Sequence, residues 1–212
     1  MSRPHPIDGS GTWVERRRFI AAPGRMLYCD RDGVIIHDRN YLSDPQGVVL
    51  IDGIVEILLA VERAGLPIVI VTNQSGIGRG YFGWDDFAAV QQRMMELLQA
   101  NGIAPAAVFA SPHHPQAEPP YRHPDPPMRK PNSGMLIAAA SLFEIDPTAS
   151  LMIGDKRDDM RAAAGAGLRR GIWVGGEAVG GSEARGCLAV DTVPDVKAAV
   201  PIVHVWIADV AV

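Results

Sequence analysis

Two carboxylates, Asp30 and Asp32, stand one residue apart in the stretch 26–34 (MLYCDRDGV). The apolar residues ahead of them predict a short buried strand over about 26–30, so both side chains point the same way at its carboxyl end. Adjacent anions repel each other. They are useful together when they bind a hard cation such as Mg²⁺, or when they divide the work of a nucleophile and an acid/base. The alternative is an ordinary solvated turn, in which Asp and Gly are common.

Three later segments place further polar groups at the ends of predicted strands or helices. The stretch 72–80 (TNQSGIGRG) offers hydroxyls, amides and accessible backbone N–H groups, which suit a phosphate. Arg129 and Lys130 precede a predicted helix and offer two cations for phosphoryl oxygens. The stretch 154–159 (GDKRDD) follows a strand and adds carboxylates. Taken singly, these segments are also typical of a loop, a solvated cationic pair and an acidic helix start.

Individual residues of these segments are the candidates for a site. Asp155 is placed to complete a Mg²⁺ site with Asp30, and Asp159 is placed to support it from nearby. The candidates for contacts with a substrate are Asn73, Gln74, Ser75, Arg79, Arg129 and Lys156.

Strands that alternate with helices predict how these segments meet. The predicted strands are 26–30, 67–72, 106–110, 151–154, 170–174 and 188–190, and the predicted helices are 51–64, 84–101, 132–143, 158–164 and a short one near the C terminus. The alternation predicts an α/β fold with a doubly wound, mostly parallel sheet, and ligands of such sheets bind beyond the carboxyl ends of the strands. Residues 33–51 are expected to form a small flap, and residues 1–25 an N-terminal arm.

Composition excludes several classes of function. Of the 212 residues, 47% are hydrophobic, and the net charge of −4 gives no basic field for nucleic acid or an anionic membrane. The two cysteines, Cys29 and Cys187, form no disulfide framework and suit a reducing compartment. No signal peptide and no run of about 20 apolar residues is present. We therefore expect a cytoplasmic protein that is a monomer or a weak homo-oligomer.

In their order and residue types, the four segments resemble the four motifs of the haloacid dehalogenase superfamily, over about residues 26–175. The stretch 30–33 matches the first motif, Thr72 the second, Lys130 the third, and Asp155 with its neighbours Gly154 and Asp159 the fourth. Within the superfamily, the stretches 72–80 and 129–131 are most similar to the D-glycero-D-manno-heptose 1,7-bisphosphate phosphatases, and histidinol-phosphate phosphatases are close relatives. The resemblance implies a Rossmann-like phosphatase domain over residues 26–212, with a flap but no large cap domain.

The resemblance also implies a mechanism. Mg²⁺ would be bound by Asp30, Asp155 and the backbone carbonyl of Asp32. Asp30 would attack phosphorus to give an aspartyl-phosphate, while Asp32 protonates the departing alcohol and later activates water. Thr72 and Lys130 would hold the phosphoryl oxygens. Another small-molecule phosphatase and a non-catalytic phosphate-binding module are the alternatives, and the intact set of catalytic residue types counts against the second.

One departure from the family concerns zinc. The family usually holds a structural zinc ion in the loop before the third motif, but the matching positions here are Ser111, His113, Pro126 and Met128. Thiolate ligands supply most of the affinity of such sites, so we expect no structural zinc. A proline-stiffened loop over 111–131 with solvated histidines is expected instead, although His113, His114 and His123 offer possible ligands.

Overall fold

A seven-stranded sheet forms the centre of the computed structural model, which describes residues 5–20, 24–176 and 188–209. The strands are β1 (Trp13–Arg16), β2 (Leu27–Cys29), β3 (Ile68–Asn73), β4 (Ala107–Ser111), β5 (Leu151–Gly154), β6 (Arg170–Val174) and β7 (Ala189–Val193). The helices are α1 (Ile54–Arg63), α2 (Ser75–Gly78), α3 (Trp84–Ala100), α4 (Gly134–Phe143), α5 (Arg157–Gly165) and α6 (Val200–Ala208). Cys187 lies outside the described residues.

The strand order is β1-β4-β3-β2-β5-β6-β7, and every pairing is parallel except that of β1 with β4. Helices α1, α3 and α6 cover one face, and α4 and α5 cover the other. Alternate residues of a strand face opposite ways. Leu27 and Cys29 accordingly enter the first core, while Met26 and Tyr28 enter the second. The predicted doubly wound α/β fold is confirmed.

The central strand β2 sets the position of the site. Leu27 pairs with Ile68 of β3 on one side and with Leu151 of β5 on the other. The carboxyl ends of these three strands therefore lie side by side, and the sheet order reverses direction at β2, where ligands of such folds bind. All three residues of β2 are fully buried, in agreement with the apolar run that predicted them.

The segment predicted as an N-terminal arm contributes an edge strand to the sheet. Trp13 pairs with Ala110 and Arg16 with Ala107, both antiparallel. The prolines and glycines of this segment favoured an irregular arm, but the short run 12–14 (TWV) has the residue types of a strand. Residues 1–4 and 21–23 lie outside the described part of the chain. The division into an arm and a phosphatase domain at residue 25 stays a prediction.

The flap and the C-terminal segment both pack closely on the domain. Residues 33–51 contain no α-helix; Ile36 forms bridges with Asp32 and Leu50. Helix α1 begins at Ile54 rather than at the predicted residue 51. In α6, Trp206 is 1% exposed and donates from Nε1 to the carbonyl of Ala149 at 3.0 Å, so the apolar tail packs on the sheet. None of the described helices combines the length and apolarity that crossing a membrane requires.

Candidate active site

A cleft of about 330 Å³ opens beyond the carboxyl ends of β2 and β3. Its lining includes ten residues that the sequence predicted for the site: Asp30, Asp32, Thr72, Asn73, Gln74, Ser75, Arg129, Lys130, Lys156 and Asp159. Two predicted residues, Asp155 and Arg79, do not line this cleft. Asp155 lies beside the cleft, next to Asp30, whereas the side chain of Arg79 is turned towards the loop 111–131.

Lys130 joins two carboxylates at the base of the cleft. Its ammonium lies 2.9 Å from Oδ1 of Asp30 and 2.6 Å from Oδ1 of Asp159, and it donates to the carbonyl of Val71 at 2.8 Å. These three contacts match the three protons of an ammonium. Burial disfavours the charge, but Asp159 and Asp30 outweigh it and hold the pKa of Lys130 above its ordinary value. The side chain is 2% exposed, so it is a fixed cation.

Three carboxylates form a cluster that could hold a metal ion. Asp30, Asp155 and Asp159 each bring one oxygen to within 4.8 Å of the others. The Oδ1 atom of Asp155 is buried and has no hydrogen-bond partner among the described residues. At Gly33 the backbone has a φ of +86°, and a side chain there would collide with the carboxylate of Asp155. Oxygen ligands of this kind, with an unpaired buried acceptor, fit a hard divalent cation.

The electrostatics of the cluster also favour a cation. Burial raises the pKa of Asp30 to about 8; Lys130 opposes the shift, whereas Asp159, Asp155 and Asp32 add to it. The pKa of Asp155 is also raised, again chiefly by burial. Asp30 and Asp155 are therefore costly to ionise unless a positive charge beyond that of Lys130 is present. A bound cation would remove that cost and favour the ionised forms of both groups.

Asp32 is held by a separate network. Arg31 donates to its two carboxylate oxygens from Nε at 3.1 Å and Nη2 at 3.0 Å, and Gln74 donates from Nε2 at 2.8 Å. The hydroxyl of Thr72 lies 3.4 Å away. Burial opposes the charged form, but Arg31 and Gln74 outweigh it, and the pKa of Asp32 lies below its ordinary value. Without a ligand, Asp32 is therefore an ionised carboxylate at neutral pH.

The first residues after β3 serve the architecture of the site. The side-chain amide of Asn73 donates from Nδ2 to the carbonyl of Lys130 at 2.8 Å, and its Oδ1 accepts from the backbone N–H of Lys130 at 3.1 Å. Gln74 donates to both Asp32 and Thr72 at 2.8 Å. Both amides thus contact protein groups and hold catalytic candidates in place. Ser75 begins the short helix α2 and lines the cleft.

Two cations, Arg129 and Lys156, line the cleft, and a third, Arg79, lies near Arg129 but outside the lining. Arg129 donates from Nη1 to the carbonyl of His113 at 3.0 Å, and burial lowers its pKa. Arg79 contacts the hydroxyl of Tyr41 at 3.1 Å and the ring of His114 at 3.0 Å. Lys156 has an exposed side chain. It lies 3.4 Å from Asp38 and 3.7 Å from Asp155.

Sequence reasoning missed several residues that line the cleft: Arg31, Asp38, Asn40, Tyr41, Leu42 and Asp158. Most belong to the flap, which was predicted as a segment that shapes the site, but its pattern did not single out residues. Arg31 separates the two carboxylates in sequence, and this position alone indicates no role for it. The expectation of solvated histidines is wrong for His113, which is 8% exposed, because its ring hydrogen-bonds with the hydroxyl of Ser111 at 3.3 Å and packs against Tyr121.

Comparison with known proteins places the chain in a family. A profile of the HAD-hydrolase-like family matches residues 127–197. The D-glycero-beta-D-manno-heptose-1,7-bisphosphate 7-phosphatase of Mesorhizobium japonicum is 46% identical over 177 residues, which are 82% of each chain. The D-glycero-alpha-D-manno-heptose-1,7-bisphosphate 7-phosphatase of Burkholderia mallei is 39% identical over 144 residues, 68% of this chain and 76% of that protein.

Solved structures agree. A HAD-like protein from Mesorhizobium loti superposes with a TM-score of 0.89 at 41% identity, over 96% of both chains. The D,D-heptose 1,7-bisphosphate phosphatase of B. bronchiseptica, complexed with magnesium and phosphate, superposes with a TM-score of 0.73 at 25% identity, over 85% of this chain and 98% of that one. The chain therefore belongs to the haloacid dehalogenase superfamily of phosphatases and, within it, to the family of the D-glycero-D-manno-heptose-1,7-bisphosphate 7-phosphatases.

Proposed function

We propose that this protein is a Mg²⁺-dependent phosphomonoester hydrolase that removes the 7-phosphate of D-glycero-D-manno-heptose 1,7-bisphosphate through an aspartyl-phosphate. The observation that carries the proposal is the pairing of Lys130 with Asp30 at the base of the cleft, next to a cluster of carboxylates that fits a cation. A nucleophile, a fixed cation and a metal site within one cleft are what phosphoryl transfer requires. Relatives with this named activity support the choice of substrate.

The first chemical step falls to Asp30 and Asp32. A carboxylate oxygen of Asp30 forms a bond with phosphorus as the bond to the substrate's C7 oxygen breaks, and Asp32 gives that oxygen a proton. In the second step Asp32 takes a proton from water, which attacks the aspartyl-phosphate and releases phosphate and Asp30. Asp30, Asp155 and the backbone carbonyl of Asp32 would hold Mg²⁺, which would neutralise part of the charge on the phosphoryl group.

Lys130 and Thr72 stabilise the phosphoryl oxygens, over which negative charge is spread in the transition state. Asp159 supports Lys130: the 2.6 Å contact keeps the ammonium in the cleft after Asp30 becomes bonded to phosphorus. Because Lys130 is already fixed and desolvated, little reorganisation is needed when the phosphoryl group enters.

The acid role of Asp32 requires a proton that the ligand-free protein does not hold there. Arg31 and Gln74 keep this group ionised, which suits the base of the second step. A bound phosphate dianion brings negative charge next to Asp32 and raises its pKa, because a like charge disfavours the ionised form. The substrate itself thus favours the protonated state that the first step needs.

The second phosphate of the substrate would meet the cations at the mouth of the cleft. Arg129 lines the cleft, and its electrostatic coupling to Arg79 indicates that the two guanidinium groups are near each other. Planar guanidinium groups bind phosphate through paired hydrogen bonds. Lys156 and the flap residue Asp38 also line the cleft and form an ion pair at 3.4 Å, and sugar hydroxyls would bind there.

We further propose that the protein needs Mg²⁺ alone and holds no structural zinc. The loop 111–131 lacks thiolates, and His113 is engaged with Ser111 and Tyr121. Purified protein that carries stoichiometric zinc by mass spectrometry would contradict this. We propose a monomer or weak homo-oligomer that acts on a small sugar phosphate.

A substrate panel tests the proposed function. The panel contains both anomers of the heptose 1,7-bisphosphate, the heptose 7-phosphate, histidinol phosphate and p-nitrophenyl phosphate, each with and without Mg²⁺, and Asp30→Asn serves as the control. We expect the highest kcat/KM for one anomer of the bisphosphate. A higher kcat/KM for histidinol phosphate would contradict the proposed substrate. Equal phosphate release by the parent and Asp30→Asn would refute the mechanism.

A further inference from the structure

Residues 6–16 form a hairpin, in which Ile7 pairs antiparallel with Trp13 and the N–H of Val14 donates to the carbonyl of Pro6 at 2.7 Å; we name it the N-terminal hairpin. Its turn is fixed by Asp8, whose carboxylate accepts hydrogen bonds from the backbone N–H groups of Ser10 at 2.9 Å and Thr12 at 3.0 Å. Thr12 is fully buried. The chemical steps proposed above use no residue of this segment. Its ordered turn and buried Thr12 therefore indicate a role other than catalysis.

The turn of the N-terminal hairpin lies directly against the loop 111–131. A Cβ atom at Gly11 would lie 3.0 Å from Cε1 of Tyr121, and the φ of Gly11 is +82°, a region that L residues avoid. The Nε2 atom of His113 would lie 3.9 Å from the same Cβ position at Gly11, so this ring also faces the turn of the hairpin. The rings of His113 and Tyr121 also contact each other edge to face, with centroids 5.8 Å apart.

An aromatic cluster holds the same loop from a second side. Trp13 of the hairpin is 5% exposed and packs against Trp84 and Phe87, with ring centroids 5.7 and 5.1 Å away. Trp84 in turn donates from Nε1 to the hydroxyl of Tyr121 at 3.0 Å. The loop is therefore fixed both by the turn of the hairpin and by the base of its second strand.

The loop 111–131 contains Arg129, whose side chain lines the cleft. The guanidinium of Arg129 donates to the carbonyl of His113 at 3.0 Å, and the ring of His113 lies against Gly11, so only two contacts separate Arg129 from the hairpin. Lys130 is held differently, by Asn73, Asp30 and Asp159. A change in the hairpin should therefore move Arg129 and leave the groups that do the chemistry in place.

We propose that the N-terminal hairpin positions the substrate-recognition loop: through His113 and Tyr121 it holds the loop 111–131 so that Arg129 lies in the cleft. The part of the proposal that concerns substrate rests on the proposed function, in which Arg129 contacts the second phosphate. The hairpin then sets KM for the bisphosphate, whereas kcat and the hydrolysis of a small monophosphate depend on Asp30, Asp32 and Lys130.

Two glycines of the same turn provide a matched pair of variants. Gly11→Ala introduces a methyl group against Tyr121 in a left-handed backbone conformation, whereas a Cβ atom at Gly9 would have no neighbouring atom within 4 Å, so Gly9→Ala is the control. Tyr121→Phe removes only the hydroxyl that accepts from Trp84 and serves as a milder second variant. Amide hydrogen exchange over residues 112–130, measured by mass spectrometry, is the first readout and needs no substrate.

Gly11→Ala and Tyr121→Phe should increase exchange in this loop without changing it in β5 and α5, and Gly9→Ala should match the parent. Gly11→Ala should raise KM for the heptose bisphosphate about tenfold, because small misplacements of a binding group are costly. Its kcat and its activity on p-nitrophenyl phosphate should stay within about twofold of the parent. In a protein that already carries Arg129→Met, Gly11→Ala should add nothing further.

The proposal is overturned if exchange in the loop is the same in Gly11→Ala as in Gly9→Ala. It is also overturned if Gly11→Ala lowers kcat for both substrates equally, which would indicate general destabilisation. The parent protein could fail to hydrolyse the bisphosphate while Gly11→Ala still shows faster exchange in the loop. That result would refute the proposed substrate but support the role of the hairpin in holding the loop.

Discussion

The guanidinium of Arg31 makes a double hydrogen bond with the carboxylate of its sequence neighbour Asp32, at 3.1 and 3.0 Å. Arg31 is 1% exposed, and its Cζ atom lies 5.3 Å above the ring of Phe87 in α3. A paired, stacked and buried guanidinium has a single orientation. The residue between the two aspartates is therefore a support for the second of them.

Replacement of Arg31 by Met should impair both proton transfers made by Asp32. Met keeps apolar volume over Phe87 but cannot orient Asp32. We expect kcat/KM for the heptose bisphosphate, whose leaving group is an alkoxide, to fall about 100-fold, within the usual contribution of acid–base catalysis. For 2,4-dinitrophenyl phosphate, whose leaving group needs no proton, formation of the phosphoenzyme should fall less than about threefold in the pre-steady-state burst. Equal losses for both substrates would show that Arg31 does not act through Asp32.

The raised pKa of Asp30 predicts a pH dependence of the metal-free protein. Its pKa in the folded protein is about 8, against an ordinary value of 3.8, so the folded state keeps this proton when the unfolded chain has released it. The free energy of unfolding should therefore fall as pH rises from about 4 to about 8, by up to about 1.4 kcal/mol per pH unit from this group. Urea denaturation in EDTA across this range measures the slope, and Asp30→Asn should remove its contribution.

The same group links metal binding to protons. Mg²⁺ requires the ionised carboxylate, so binding should release a proton below pH 8, and the affinity should fall with decreasing pH. Calorimetry in buffers with different ionisation enthalpies counts the protons released. An affinity that does not change between pH 6 and pH 8 would contradict the participation of Asp30 in the metal site.

Removal of the ammonium of Lys130 should destabilise the protein as well as inactivate it. Lys130→Met leaves the buried side chains of Asp30 and Asp159 without their ammonium partner, and breaking such a buried pair typically costs about 3–5 kcal/mol. Mg²⁺ should restore part of this loss, because it supplies positive charge to the same cluster. Thermal unfolding with and without Mg²⁺ measures both effects. A variant as stable as the parent in EDTA would contradict the electrostatic account of the site.

Arg129 should distinguish substrates with one phosphate from those with two. Arg129→Gln should raise KM for the heptose 1,7-bisphosphate about tenfold or more, because a charge-assisted hydrogen bond to the second phosphate is lost. KM for the heptose 7-phosphate, which lacks the second phosphate, should change little. The exposed Arg157→Gln, on the first turn of α5, is the control. If both substrates lose affinity equally, Arg129 does not bind the second phosphate.

The part of the molecule that sequence predicted best is the sheet and the loops that follow its strands. Runs such as 67–72 are apolar because both faces of a central parallel strand are covered by helices. The apolar run therefore predicts both the strand and the position of its carboxyl end. Asp30, Thr72 and Asp155 could be assigned to one site because the carboxyl ends of adjacent parallel strands meet.

Features set by tertiary contacts lay beyond what the sequence could predict. Strand β1 was missed because its four residues become a strand only by pairing with β4. The role of Arg31 depends on burial against Phe87, which no local pattern reveals. Arg79 lies in a glycine-rich segment next to the site, yet its side chain is turned towards His114 and Tyr41. Side-chain direction in a turn is set by neighbours distant in sequence.

The most direct test of the account is to look for the phosphorylated form of Asp30. The parent protein is mixed with heptose bisphosphate and Mg²⁺, quenched in acid within milliseconds, digested and examined by mass spectrometry. The account predicts a phosphate on the Asp30 side chain, in a peptide that is unmodified in Asp30→Asn or when Mg²⁺ is withheld. Turnover of the substrate with no phosphorylation at Asp30, or unchanged turnover in Asp30→Asn, would contradict it.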